Sequence, residues 1–135
     1  MKQKTCYLTE LDVVRLEKHA ASPGAEAKYQ TMLDNLLARA VIVAPRDIAA
    51  NVVTMNSQVT LADEQTGEEM TWTVVYPPGA DFSNGQLNVF SPAGLALLGA
   101  KRGERIRFMP PGGDEKVLKV LQILFQPEAA DDFTL

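Results

Sequence analysis

The sequence predicts an α+β protein in which a short N-terminal antiparallel helical hairpin precedes a sheet that carries one short helix. Three observations support this fold class. Apolar residues recur with a helical period up to about residue 40, and the period falls to about two after residues 44–51. Between the later strands, one stretch combines a helix cap with a helix-ending glycine. The connections are short, which favours antiparallel pairing of the strands.

The hairpin is predicted from two helical patterns separated by a polar break. The first helix should run from about Glu10 to Ala21, with Thr9 three residues before Asp12 in an approximate capping box. Ser22-Pro-Gly24 ends this helix because proline cannot continue it. The second helix is indicated by apolar side chains at helical spacing, namely Tyr29, Met32, Leu33, Leu36, Leu37 and Ala40. Arms of roughly 11 to 16 residues reach at most ~16 to 24 Å.

Strand patterns follow a connector with one helical turn at residues 44–48. We expect extended segments at 52–55, 58–62, 69–76, from Leu87, at 104–109 and at 116–125. The last is apolar on both sides, which predicts a central strand covered on both faces. Alternation places Trp72 on one face with Met70 and Val74, which is more often a core position than a binding position.

The stretch from Leu87 to Gly103 is the most informative part of the chain. Ser91 is suited to cap a helix, and Pro92 suits its first position, where the missing N–H is not needed. Leucines then supply an apolar stripe, and Gly99 can end the helix in a left-handed conformation. Strand, capped helix and strand therefore follow one another within about two dozen residues.

Composition limits the function classes. The chain has 135 residues, 46% hydrophobic and 22% charged, with a net charge of −4. This charge does not favour general nucleic-acid binding, and we expect no direct sequence-specific contact with nucleic acid. No apolar run approaches a membrane span, and no signal-peptide pattern follows Met1. We therefore expect a cytoplasmic protein without a membrane partner.

The residues predict neither a catalytic nor a metal site. His19 and Cys6 are each the single residue of their type, and neither has a visible partner for nucleophilic catalysis. His19 is expected to be a packed helical histidine, and Cys6 a small buried apolar residue. Neighbouring acids lie in predicted turns or in the tail, where they are typically solvated. We expect a protein without enzymatic activity and without a cofactor.

Ordered motifs in the Leu87–Gly103 stretch and shortly after it resemble the C-terminal domain of the Gre transcript-cleavage factors. These motifs are Ser91-Pro92, Ala96-Leu-Leu-Gly99 and Pro111-Gly-Gly113. The whole chain is similar to a related family, the bacterial regulators of nucleoside diphosphate kinase. The segments that carry this similarity are Val52-Val-Thr-Met-Asn-Ser57, Val75-Tyr-Pro77, Pro92-Ala-Gly-Leu-Ala-Leu-Leu-Gly99, Pro111-Gly-Gly113 and Leu124-Phe-Gln-Pro-Glu-Ala-Ala130. The resemblance implies a helical hairpin at residues 1–47 and an FK506-binding-protein-like domain at residues 48–135.

The resemblance implies a transcription modulator that binds RNA polymerase at its secondary channel. In the cleavage factors, paired acids at the hairpin tip hold a metal ion at the polymerase active site. The tip predicted here comprises Ser22, Pro23, Gly24 and Glu26, so it offers one acid only, on shorter helices. We therefore expect competition with Gre-type factors without stimulation of transcript cleavage, and through it an effect on nucleoside diphosphate kinase levels.

The family resemblance also implies where the polymerase would bind. The docking loop of the family falls on Ser91 and Pro92, and Phe90 stands where some cleavage factors have an acid. An exposed Phe90 would be an apolar anchor for the partner. The alternative is that Phe90 packs inward and that Ser91-Pro92 merely starts the helix.

Two other functions remain open at the level of sequence. The family name allows direct contact with nucleoside diphosphate kinase. The implied sheet also raises peptidyl-prolyl isomerase activity, although fold does not determine function and the aromatic residues show no cluster.

Overall fold

The computed structural model describes residues 6–110 and 112–130, with two sheets and three α-helices among them. The strands are β1 Cys6–Thr9, β2 Ala40–Val43, β3 Gln58–Ala62, β4 Glu69–Val75, β5 Gln86–Asn88, β6 Arg105–Phe108 and β7 Lys116–Phe125. The helices are α1 Glu10–Ala20, α2 Ala27–Leu37 and α3 Pro92–Leu97. Short 3-10 turns lie at Pro45–Asp47, Pro77–Gly79, Phe82–Asn84 and Glu128–Ala130. The predicted mixture of helices and a largely antiparallel sheet is confirmed.

The main sheet has the strand order β5-β4-β3-β7-β6. Three of its four strand pairs are antiparallel, as the short connections favour, but β4 and β5 run parallel, which departs from the predicted antiparallel sheet. The 3-10 turns at Pro77–Gly79 and Phe82–Asn84 lie in the connection between these two strands and return the chain to the same end of the sheet.

A second sheet joins β1 and β2, and the local sequence patterns do not indicate that these two strands pair in parallel. β1 leads directly into α1, and β2 follows α2. Thr9 caps α1 as predicted, because its Oγ1 accepts a hydrogen bond from the Asp12 amide at 3.0 Å. The two helices contact each other, and both ends of the helical segment are fixed by one pair of strands.

One hydrophobic cluster extends from the N-terminal helices into the main sheet. Leu16 of α1 and Leu33 of α2 are fully buried in it, together with Val59 of β3 and Leu97 of α3. The helices therefore pack on the body of the protein by burial of apolar side chains.

Two strand predictions need correction. β7 lies between β3 and β6, but Leu121, Leu124 and Phe125 are exposed, so the strand is not covered on both faces. Residues 52–55 form an ordered loop with a single bridge from Val52 to Lys101 instead of a strand.

Candidate functional site

The loop at residues 88–92 is held by its own side chains. Ser91 Oγ donates to the Asn88 carbonyl at 2.7 Å and accepts from the Gly94 amide at 3.0 Å, so it caps α3 as predicted. Asn88 Oδ1 accepts from the Phe90 amide at 2.9 Å. Pro92 is exposed at the first position of the helix. These bonds give the loop a fixed shape before any partner binds.

Gly94 allows α3 to start directly against β5 and the residue after it. A Cβ at this position would lie 2.2 Å from the Asn88 carbonyl oxygen and 2.8 Å from Val89 Cα. These are backbone atoms, which cannot move aside as a flexible side chain would. The glycine thus positions Ser91 and Pro92 by close backbone packing.

Phe90 does not form the exposed anchor considered from the sequence. Its side chain is 3% exposed and stacks on Tyr29 of α2, with ring centroids 4.4 Å apart and planes 11° from parallel. The structure shows the inward-packing alternative for this residue. Of the three predicted docking residues, only Ser91 and Pro92 have exposed surface.

The α1–α2 connection, residues 21–26, is the second predicted site. Ser22, Pro23, Gly24 and Glu26 are all exposed. Glu26 Oε2 lies 3.1 Å from Lys28 Nζ, and both side chains are more than half exposed. Such a surface pair contributes little to stability, but it partly neutralises the one acid of the connection.

The two predicted sites are neighbours on the molecule. Glu26 precedes Tyr29 by three residues, which is about 4.5 Å along a helix axis. Tyr29 contacts Phe90, and Phe90 is adjacent to Ser91 in the chain. We call the exposed residues 22–24, 26 and 92, together with the half-buried Ser91, the tip-and-loop surface.

Contacts along both helices hold the helical segment on the body. His19, near the end of α1, stacks on Tyr76 with ring centroids 4.5 Å apart. Arg39, just after α2, donates from Nη2 to the Leu95 carbonyl of α3 at 3.2 Å. The helices are therefore attached near both of their ends and lie along the body.

A buried polar cluster lies where α1 meets the body. Asp12, 2% exposed, accepts a hydrogen bond at Oδ2 from the Met55 amide at 3.0 Å. The pKa of Asp12 is raised to about 7. Burial is the main cause and the nearby Glu128 adds to it, while the Met55 hydrogen bond and Arg15 act in the opposite direction. Glu128 itself accepts a hydrogen bond from Thr54 Oγ1 at 2.7 Å. This cluster ties α1, the loop at residues 52–57 and the C-terminal turn together.

The described residues offer little for catalysis. Cys6 is buried as predicted, and burial raises the pKa of its thiol, which disfavours the nucleophilic thiolate. Over residues 6–110 and 112–130, no group of three or more His, Cys, Asp or Glu side chains is placed to hold a metal ion. Within the same ranges, no helix has the length and apolar character needed to cross a membrane.

Comparisons with known proteins agree with this architecture. Residues 46–125 match the family described as "Transcription elongation factor, GreA/GreB, C-term". The chain is 38% identical over the full length of both proteins to the regulator of nucleoside diphosphate kinase of Escherichia coli K12. The chain belongs to the family of regulators of nucleoside diphosphate kinase, within the wider GreA/GreB group.

Two further relatives connect this family to the GreA/GreB factors. The transcription elongation factor GreA of Rhodopseudomonas palustris is 35% identical over 60% of this chain and 51% of its own length, so the match spans about half of that protein. The solved structure of a GreA/GreB elongation factor from Nitrosomonas europaea has a TM-score of 0.72 at 32% identity, covering 91% of this chain and all of that one. These relatives are named as regulators or transcription factors, not as enzymes.

The family match covers the Ser91-Pro92 loop and α3 but excludes both N-terminal helices. Sequence reasoning placed Ser91 and Pro92 correctly at a helix start, and it missed Tyr29 and Asp12 as contacts with the body. Tyr29 was visible only as one member of the apolar stripe of α2, and Asp12 as an acid near a helix N-terminus.

Proposed function

We propose that this protein is a cytoplasmic, non-catalytic transcription modulator that binds RNA polymerase at the secondary channel. Residues 48–135 act as a docking domain with an FK506-binding-protein-like sheet. Residues 1–47 contribute a short antiparallel helical hairpin with its tip at residues 22–26. Family membership supports the choice of polymerase, because the relatives include transcription elongation factors.

The observation that carries the proposal is the loop at residues 88–92. Ser91 and Pro92 have exposed surface, and the loop is fixed by hydrogen bonds from Ser91 and Asn88. Rigid, preformed loops lose little conformational entropy on binding, which favours a docking role. The loop lies inside the segment that matches the GreA/GreB C-terminal domain.

The tip-and-loop surface supports a modulator that does not stimulate transcript cleavage. A tip that holds a hard divalent cation needs several carboxylate oxygens, whereas the α1–α2 connection has Glu26 alone, beside Lys28. His19 of α1 stacks on Tyr76, and Tyr29 of α2 stacks on Phe90. Both helices are therefore attached to the body close to residues 22–26, so the tip extends little beyond the docking loop. This protein would occupy the channel entrance and compete with Gre-type factors.

Binding to purified core polymerase tests this function. Wild-type protein should co-elute with the polymerase and displace a Gre-type factor without stimulating cleavage of a stalled transcript. Pro92→Ala should weaken binding about tenfold, as expected for loss of one well-packed interface contact. Pro110→Ala, a half-buried proline in the β6–β7 connection, is the matched control and should bind normally. Failure of the wild-type protein to displace the factor would refute the proposal.

Direct regulation of nucleoside diphosphate kinase is a second candidate, favoured by the name of the full-length relative. A pull-down with purified kinase and purified polymerase separates the two. Capture of the kinase alone would favour direct regulation, whereas capture of the polymerase alone would place the effect on the kinase in transcription.

A further inference from the structure

We propose that Tyr29 is a positioning residue that holds the two halves of the tip-and-loop surface in one fixed arrangement, so that the polymerase binds them as a single unit. This inference rests on the proposed function. It assigns to Tyr29 and Phe90 a role in partner binding that neither residue performs by direct contact.

The geometry of the aromatic pair supports this role. The rings of Tyr29 and Phe90 are nearly parallel, with centroids 4.4 Å apart, and Phe90 is 3% exposed. Stacked aromatic pairs prefer particular separations and offsets, so the pair resists sliding as well as separation. Movement of the first turn of α2 would therefore be transmitted to the residue immediately before Ser91.

Each half of the surface is shaped by contacts within its own segment. The loop bonds from Asn88 and Ser91 join residues 88–94 to one another. At the other half, Ser22 Oγ donates to the Lys18 carbonyl at 2.8 Å, and Lys28 pairs with Glu26. These local contacts shape the two segments but do not set one relative to the other. The Tyr29–Phe90 pair crosses between them directly beside Ser91 in the chain. The Arg39–Leu95 and His19–Tyr76 contacts also join the helical segment to the body, but neither involves a residue adjacent to Ser91.

A fixed arrangement affects binding through entropy. If both segments meet the partner, a rigid surface loses less freedom on binding than two independently mobile segments. Weakening the pair should lower affinity even though no contacting side chain has changed. The chain offers a matched comparison, because Val13 is a buried apolar residue of α1 that follows Asp12 in the chain and is not part of the aromatic pair.

Amide hydrogen exchange tests the positioning without any partner. The amides to follow are Gly94, bonded to Ser91 Oγ, and Met55, bonded to Asp12. In Tyr29→Leu, exchange at Gly94 should accelerate about threefold to tenfold relative to Met55, the range expected for loss of an aromatic pair. Tyr29→Phe keeps the ring and should match wild type. Val13→Ala should not raise the Gly94 rate relative to Met55.

Affinity for core polymerase is the second readout. Tyr29→Leu should bind about threefold to tenfold more weakly than wild type, while Tyr29→Phe and Val13→Ala bind as wild type does. Equal losses in Tyr29→Leu and Val13→Ala would overturn the inference, because general destabilisation would then explain both.

The two readouts separate this inference from the proposed function. If exchange at Gly94 accelerates in Tyr29→Leu but wild-type protein does not bind polymerase, Tyr29 is confirmed as a positioning residue and polymerase is excluded as the partner. If the relative exchange of Gly94 is unchanged in Tyr29→Leu, the positioning role falls whatever the polymerase result.

Discussion

The buried carboxyl of Asp12 makes the stability of the protein depend on pH. Its pKa is raised from 3.8 to about 7, mainly because burial disfavours the charged form. In the unfolded chain the same group should titrate near its ordinary value. Between these two values the folded state keeps a proton that the unfolded state has lost.

The direction of this pH dependence follows from the linkage between proton binding and folding. Because the folded state binds more protons between about pH 4 and pH 7, the free energy of unfolding decreases as pH rises through this window and levels off above it. Each unit of pKa difference corresponds to about 1.4 kcal/mol, so a difference of about three units sets an upper limit near 4 kcal/mol. The stabilisation from this group is fully present below about pH 4 and lost once the pH has risen through about 7.

Asp12→Asn isolates this effect. The amide side chain keeps an oxygen that can accept the Met55 hydrogen bond, but it carries no charge at any pH. We expect the free energy of unfolding of Asp12→Asn, relative to that of wild type, to rise by about 2 to 4 kcal/mol between pH 4.5 and pH 8. Urea unfolding followed by circular dichroism at several pH values measures this difference.

Asp12→Ala is the control for the hydrogen bond. It also removes the charge, but it leaves the Met55 amide without its acceptor, which costs about 1 to 3 kcal/mol at every pH. The free energy of unfolding of the alanine variant should therefore depend on pH in the same way as that of the asparagine variant, but be lower at every pH. A difference between Asp12→Asn and wild type that is the same at pH 4.5 and pH 8 would refute the reasoning.

Three further outcomes are expected. Gly94→Ala should lower the free energy of unfolding by more than about 3 kcal/mol in urea unfolding, because the new Cβ would overlap the Asn88 carbonyl oxygen. Stability near that of wild type would contradict this packing. Asn56 has φ of 64°, a left-handed conformation that glycine adopts more readily than alanine. Asn56→Ala should therefore lower the free energy of unfolding by about 1 kcal/mol, and Asn56→Gly by only about a few tenths, in the same measurement. Equal losses in both variants would contradict this reasoning. Since Glu26 pairs with Lys28, affinity for polymerase should change less than about threefold between 0.05 and 0.2 M salt in a titration; a tenfold loss would indicate docking through charges.

The elements that could be predicted from the sequence depend on local chemistry. Thr9 and Ser91 cap helices because their hydroxyls reach amides three residues ahead, and Gly99 has φ of 83° at the end of α3. Such signals lie within a few residues of one another, so a pattern reveals them. The location of Ser91 and Pro92 at the start of a helix followed from the same kind of evidence.

The features that could not be predicted depend on contacts between distant segments. Tyr29 and Phe90 are far apart in the chain, and nothing in either local pattern indicates that their rings stack. Asp12 has the pattern of an exposed acid at a helix N-terminus, yet its carboxyl turns inward to the Met55 amide. The parallel pairing of β1 with β2 is likewise a tertiary outcome.

The parallel pair of β1 and β2 fixes where the helical segment starts and returns, independently of its length. Residues inserted in equal number after His19 and before Tyr29 would leave both aromatic stacks and the strand pairing unchanged. Each inserted helical residue would move the connection outward by about 1.5 Å. The paired strands can therefore support helices of different lengths, and in this chain the helices are short.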